Sequence, residues 1–184
     1  MYLYHYFDKR SGPFKSLTAL TPKRAEKMLE KINKERPGGF CAKRDANYLE
    51  VRRACERIVF TRFLSMGGQV DITSPYYMVV EECPWLATWY EEPAFIKIPI
   101  DELDTRKISF TYGDMMPTFN PRAKAGKPEG KLEVFTYDEI LRVIDDLGLP
   151  QDWNSDGTHG YERYIEAHVW TDEPILKYIE SNRI

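Results

Sequence analysis

Residues 164–170 alternate strictly. Ile165, Ala167 and Val169 fall on one side, and Tyr164, Glu166, His168 and Trp170 on the other. A period of two marks a β-strand with unlike faces. The polar side is unusual, because a carboxylate stands between a phenol, an imidazole and an indole where an outer sheet face carries Lys, Thr or Glu. Two readings follow. A helix or loop covers this face and Glu166 pairs with a nearby Lys or Arg, or the face borders a site where a desolvated carboxylate stabilises cationic charge or accepts a proton. Residue types alone favour the first.

The rest of the chain supplies partners for such a strand. Residues 2–7 alternate as well, with Tyr2, Tyr4 and Tyr6 on one face and Leu3, His5 and Phe7 on the other, and predict a strand close to the first residue. Thr21-Pro22 opens a helix with a stripe of Ala25, Met28, Leu29 and Ile32, and Pro37-Gly38-Gly39 ends it. A longer helix over about 45–66 buries Tyr48, Val51, Cys55, Ile58, Val59, Phe63 and Met66 and stops at Gly67-Gly68. Strands are predicted at 76–80, 95–100, with Ile96, Ile98 and Ile100 inward, and 107–112, broken by Gly113-Asp114 and Pro117. Between the first two lies an aromatic turn, Cys83-Pro84-Trp85-Leu86-Ala87-Thr88-Trp89-Tyr90, that reads as a small core or lid. Residues 120–131, rich in Pro, Gly and Lys, read as a mobile surface loop. Thr136 to Glu139 form a capping box ahead of Ile140, Leu141, Val143, Ile144 and Leu147, with Gly148 and Pro150 as the stop. After Trp170 a turn leads to a closing segment, 175–179. The layout predicts a single α+β domain over 1–184: a mostly antiparallel sheet with two N-terminal helices and one later helix.

Charge is divided unevenly. Residues 1–70 hold 15 Lys plus Arg against 7 Asp plus Glu, a balance of +8, and residues 71–184 hold 11 against 22, a balance of −11. The basic helical half either attracts a polyanion such as nucleic acid through Arg52, Arg53, Arg57 and Arg62, or its charges pair with Glu50, Glu56 and the acidic half. No apolar run is long enough to span a bilayer and no secretory leader is visible. Cys41, Cys55 and Cys83 are an odd number without metal-ligand spacing, so a reduced, cytoplasmic protein is expected.

Local catalytic motifs are missing: no Gly-x-Gly-x-x-Gly, no phosphate loop ending in Gly-Lys-Ser/Thr, no His-Glu-x-x-His, no Gly-x-Ser-x-Gly. Asp-Trp-Asn-Ser-Asp-Gly at 152–157 starts like a calcium loop, but Arg163 stands where a closing Glu belongs. His5, His159, His168 and Cys83 make a zinc site, or a Cys–His pair, only if the fold gathers them. No metal is expected.

Two segments resemble a known family. Leu3-Tyr4-His5-Tyr6 resembles the first-strand histidine segment of the ADP-ribosyltransferase fold, and Ile165-Glu166-Ala167-His168-Val169-Trp170-Thr171-Asp172-Glu173-Pro174-Ile175 its late strand with the catalytic glutamate. The likeness is closest to the DNA-targeting ADP-ribosyltransferase toxins. Residues 95–114 are similar to that fold's middle strand pair. The resemblance implies a cleft that binds NAD between the halves of a split sheet. In it His5 bonds the ribose, Glu166 stabilises the ribosyl cation or activates the acceptor, and Tyr164, His168 and Trp170 form the walls. For the arginine and the Tyr/Ser motif that grip NAD in such families, Arg44, Arg62 and Tyr77 are the candidates.

The leading expectation is therefore an NAD-dependent ADP-ribosyltransferase-like protein acting on nucleic acid. The alternative is a non-catalytic domain whose aromatic cleft holds a small ligand or a protein. An enzyme of other chemistry, with His159 or His168 as general base, is a third. One geometric fact separates the first two. His5 and Glu166 opening on one cleft favours transfer; Glu166 ion-paired beneath a helix, with His5 across the sheet, removes it.

Overall fold

In a computed structural model the described residues are 1–35, 37, 44, 47–119 and 133–182. The loop expected at 120–131 and Cys41 lie outside them, as do the first residues of the predicted 45–66 helix.

Five antiparallel strands form one sheet: β1 (Tyr2–Asp8), β2 (Tyr76–Val80), β3 (Pro93–Pro99), β4 (Ile108–Tyr112) and β5 (Ile165–Val169), in the order β3-β1-β2-β5-β4. The α+β class and the strands read from period-two alternation are present. The helices are α1 (Pro22–Glu35), α2 (Tyr48–Ser65), α3 (Pro84–Ala87), α4 (Met115–Phe119), α5 (Tyr137–Leu147), α6 (Pro150–Trp153) and α7 (Ile175–Ser181). More helices appear than the two-plus-one expected, because α3, α4 and α6 are single turns, too short to show a period. The capping box at the start of α5 forms as its sequence dictates, with Glu139 Oε2 accepting from the Thr136 amide at 2.8 Å.

Register fixes which side chains share a face. Leu3 pairs with Val80 and Ile98, Met78 with Ala167, and Ala167 with Phe110. All of them join the main core, which Ile140 of α5 and Ile175 of α7 cover from outside. The opposite face carries Tyr4, Tyr6, Val79, Tyr77, Glu166 and His168, since Tyr4 pairs with Val79, Val79 with Glu166 and Tyr77 with His168. Two separate clusters cover this second face. Val51, Cys55, Val59 and Phe63 of α2, with Met115 and Phe119 of α4, pack on Trp170. Leu86 of α3 and Cys83 pack on Tyr4, Tyr6, Val79 and Tyr164. Polar side chains occupy the seam between the two clusters.

The sheet divides at β1. Seven residue pairs join β1 to β3, but two join it to β2, Leu3–Val80 and Tyr4–Val79. The halves β3-β1 and β2-β5-β4 part beyond Tyr4.

A few expected core positions lie outside. Met28, Met66, Leu141 and Leu147 are among the exposed large apolar residues, while Glu56, expected in a solvated Arg–Glu pair, is buried. An apolar stripe one residue wider than the contact leaves its margin in water.

Candidate functional site

Glu166 stands at the centre of the seam, its side chain 5% exposed. Its Oε1 lies 3.5 Å from Arg52 Nη2 and 3.5 Å from His168 Nε2, and its Oε2 accepts the Met115 amide proton at 3.2 Å. Burial alone would raise the Glu166 carboxyl; the contacts from His168, Arg52 and the Met115 amide outweigh it and hold the group below the ordinary carboxylate range.

Arg52 projects from α2 over the ring of Tyr77, its Cζ 3.9 Å from the centroid, with Nε 3.9 Å from Glu56 Oε1. Glu56, one turn along α2, accepts the Tyr77 hydroxyl and the Thr18 hydroxyl at 2.5 Å each. This ties α2 to β2 and to the segment before α1. Asp114, at the turn from β4 into α4, accepts from the Met116 amide at 2.6 Å and from the Tyr164 hydroxyl at 3.2 Å. Burial first, and then the charge of Glu166, push the Asp114 carboxyl up to about 6. Two neighbouring carboxylates thus titrate in separated ranges, one held ionised and the other poised near neutrality.

Aromatic groups border the acidic side of the seam. Tyr164 lies 6.2 Å from Trp85, and Trp85 meets Trp89 edge to face at 5.1 Å. The Arg163 guanidinium stacks on Trp85 at 4.0 Å. The seam reaches the surface where Arg52, 15% exposed, and the half-buried Asp114 meet solvent.

His5 is not part of this arrangement. It stands on the face of Leu3, opposite Glu166, by strand parity. Its Nδ1 donates to the Tyr77 carbonyl at 2.8 Å and its Nε2 accepts the Phe14 amide proton at 2.7 Å, so the ring bridges the parting of the two half-sheets with both nitrogens engaged. Burial lowers it to about 4, which keeps it neutral. His5 and Glu166, expected as a catalytic pair, stand on opposite faces of the sheet. Among the expected ligand walls, Tyr164 does border the seam. His168 and Trp170 are fully buried beneath α2, and the Tyr77 hydroxyl is committed to Glu56.

The arginines also separate. Arg52 turns inward, Arg53 donates to the Leu20 carbonyl at 3.0 Å, Arg57 is exposed, and Arg62 lies 5.1 Å from the Phe119 ring. They do not make one phosphate-gripping face. Arg44, the other expected NAD contact, stacks on Tyr48 at 4.2 Å. The metal or Cys–His candidates do not converge either: His5 and His168 face opposite ways, His159 is exposed on a loop, and Cys83 is buried with Leu86. Among the described residues no group of three His, Cys, Asp or Glu gathers as metal ligands.

Ser109, His168 and Glu166 form a line, Ser109 Oγ lying 3.2 Å from His168 Nδ1. The residue types are those of a nucleophilic triad, but Ser109 is wholly buried and accepts the Trp170 indole proton at 2.8 Å, so no substrate carbonyl can reach it.

Sequence reasoning missed Asp114, read as a strand breaker, and Glu56, read as solvated. No helix among the described residues is long and apolar enough to cross a membrane. No protein-family model, no curated protein and no solved structure matches the chain.

Proposed function

We propose that the chain is a non-catalytic ligand-binding domain, and that its ligand meets the seam around Glu166 with a planar group that is positively charged or donates hydrogen bonds. The observation that carries this reading is the charge of the seam: Glu56, Asp114 and Glu166 share one guanidinium, Arg52, at a boundary between apolar clusters. A cation there offsets the mutual repulsion of Glu166 and Asp114, which raises the Asp114 carboxyl, and the Tyr164 and Trp85 side chains border the position. The placement of His5 across the sheet, with both ring nitrogens used, speaks against group transfer through a His5–Glu166 pair. The nicotinamide ring of NAD is a planar cation, which makes NAD the first ligand to try.

ADP-ribosyl transfer that does without His5 is the second reading, favoured by the separated titration of Glu166 and Asp114. A fixed anion stabilises a ribosyl cation while a neighbour that titrates near neutrality carries a proton. The parting of the sheet between β1 and β2 supports it too. A nucleic-acid acceptor in this reading rests on the exposed Arg57 and the lysines of α1. We place the protein in the cytoplasm, where the buried thiols of Cys55 and Cys83 stay reduced.

The test is calorimetric binding of NAD and of benzamidine, beside nicotinamide release from NAD with and without DNA or RNA, for the natural chain and Glu166→Gln. Binding without release, weakened in Glu166→Gln, supports the ligand-binding reading. Release that needs Glu166 establishes transfer instead. Binding of neither compound removes the seam as a site.

A further inference from the structure

We infer that Ser109 and Trp170 are positioning residues for this seam: they fix His168 as the ring tautomer with its proton on Nε2, so that Glu166 meets a ligand as a hydrogen-bond acceptor. An indole N–H only donates, so the 2.8 Å contact makes Ser109 Oγ an acceptor from Trp170. The hydroxyl has one proton of its own. Among the described residues its other neighbour within bonding reach is His168 Nδ1, at 3.2 Å. Ser109, His168 and Trp170 are all fully excluded from solvent, so the proton cannot go to bulk water.

Each alternative leaves something unmatched. With the ring proton on Nδ1, the Ser109 proton has no acceptor, and the bare Nε2 lone pair faces Glu166 Oε1 at 3.5 Å in a dry interior. A ring carrying both protons strands the Ser109 proton again. Only the Nε2–H form gives every group a complementary neighbour. The chain of donors then runs from Trp170 to Ser109, to His168, and toward Glu166.

The last link is open. His168 Nε2 is buried without a completed hydrogen bond, and Arg52 stands equally far from the same carboxylate oxygen. Glu166 Oε1 is therefore flanked by two donors, neither at full bonding distance, and retains accepting capacity for a third. That third donor comes from the ligand; this clause rests on the binding-site reading, whereas the tautomer does not. A ligand anion at this position would face a carboxylate and is excluded.

Nitrogen-15 NMR of histidine-labelled protein at about pH 8, above the ordinary histidine range, tests the assignment. His159→Gln and His5→Asn identify the other two rings by subtraction. The expected spectrum shows a protonated, pyrrole-type Nε2 and an unprotonated, pyridine-type Nδ1 for His168. Ser109→Ala, in which Nδ1 has lost its donor, weakens the preference for the Nε2–H form seen in the natural chain and moves the Nδ1 resonance. Trp170→Phe, which keeps a ring in place, moves it the same way and by less, and serves if the alanine variant does not fold. A proton on Nδ1 or on both nitrogens overturns the inference, as does an Nδ1 resonance that neither variant moves. For the ligand clause, benzamidine is expected to bind at least about tenfold tighter than benzamide, its neutral counterpart. Equal binding overturns that clause alone. Failure of both to bind, with the Nε2–H tautomer seen, refutes the binding-site reading and leaves the relay standing.

Discussion

The Nε2 of His5 accepts the Phe14 amide proton at 2.7 Å, and Phe14 is held there at φ 54°, in the left-handed region that a bulky side chain rarely occupies. The ring also stacks on Phe14 with centroids 4.1 Å apart. Protonation of Nε2 destroys the bond that steadies this backbone. Burial lowers His5 from 6.5 to about 4, so the folded state prefers the neutral ring. Stability from this group is fully present above pH 6.5 and is lost as pH falls toward 4, by up to about 3 kcal/mol. His5→Leu should flatten the unfolding free energy, taken from denaturant titrations, across this window while lowering it at neutral pH by about 2 kcal/mol. A variant with the natural acid slope would refute the clamp. Because His5 faces away from Glu166, the folded variant should bind ligand at the seam as the natural chain does.

Asp114 carries the opposite sign. Its carboxyl moves from 3.8 to about 6, chiefly through burial and the nearby Glu166 charge, so the folded state holds the proton more tightly than the unfolded chain. Its contribution is present below pH 3.8 and is lost as pH rises through 6. Asp114→Asn keeps the shape and removes the charge, and it should raise stability at pH 8 by about 1–3 kcal/mol with little effect near pH 4. The same variant should weaken benzamidine. Stability gained where binding is lost is the signature of a site kept for function. An Asp114→Asn protein less stable at pH 8 would show that the Tyr164 and Met116 bonds outweigh the repulsion.

The faces of single strands are legible in this sequence, and relations between strands are not. Alternation at 2–7 puts His5 with Leu3 and Phe7, and alternation at 164–170 puts Glu166 with His168 and Trp170; both groupings hold. Whether His5 and Glu166 share a side depends on the register through Tyr4, Val79 and Glu166, which no local pattern encodes. Arg52 and Glu56 show the same limit. An i,i+4 charged pair reads alike whether it faces water or a carboxylate on a strand more than a hundred residues away. Asp114 and Pro117 signal the end of a strand, and α4 was hidden because Pro117 falls in its first turn, where proline is tolerated.

Gly68 is set by contact rather than by backbone angle. A Cβ added there would lie 2.6 Å from the ring of Phe63, which is 1% exposed and packed beneath α2 against Trp170's cluster. Gly68→Ala should displace that ring and destabilise the protein by about 1–3 kcal/mol. The double variant Gly68→Ala/Phe63→Leu makes room for the methyl group and should lose less than the sum of its singles. A midpoint unchanged in Gly68→Ala would mean that the chain after α2 shifts freely.

Among the described residues Arg52 is the one Lys or Arg between Glu56 and Glu166, and its distances of 3.9 and 3.5 Å are longer than a direct charge-assisted bond. Long contacts suggest a weak pair, but burial reverses that inference: without Arg52 the buried Glu56 and Glu166 lose their cation with their solvation already lost. Arg52→Met, which retains the stem across the Tyr77 ring, should destabilise the fold by about 3 kcal/mol and move the Glu166 carboxyl upward. Glu166→Gln alone should be milder, because the amide still accepts from Met115. If Arg52 serves mainly to neutralise Glu166, the double variant Arg52→Met/Glu166→Gln recovers much of the loss, and the cycle of denaturation midpoints gives a coupling above about 1 kcal/mol. Additive losses would instead assign Arg52 to Tyr77 and Glu56, the pair that fastens α2 to β2. The seam would then be a structural joint, and ligand binding would have to survive Glu166→Gln unchanged.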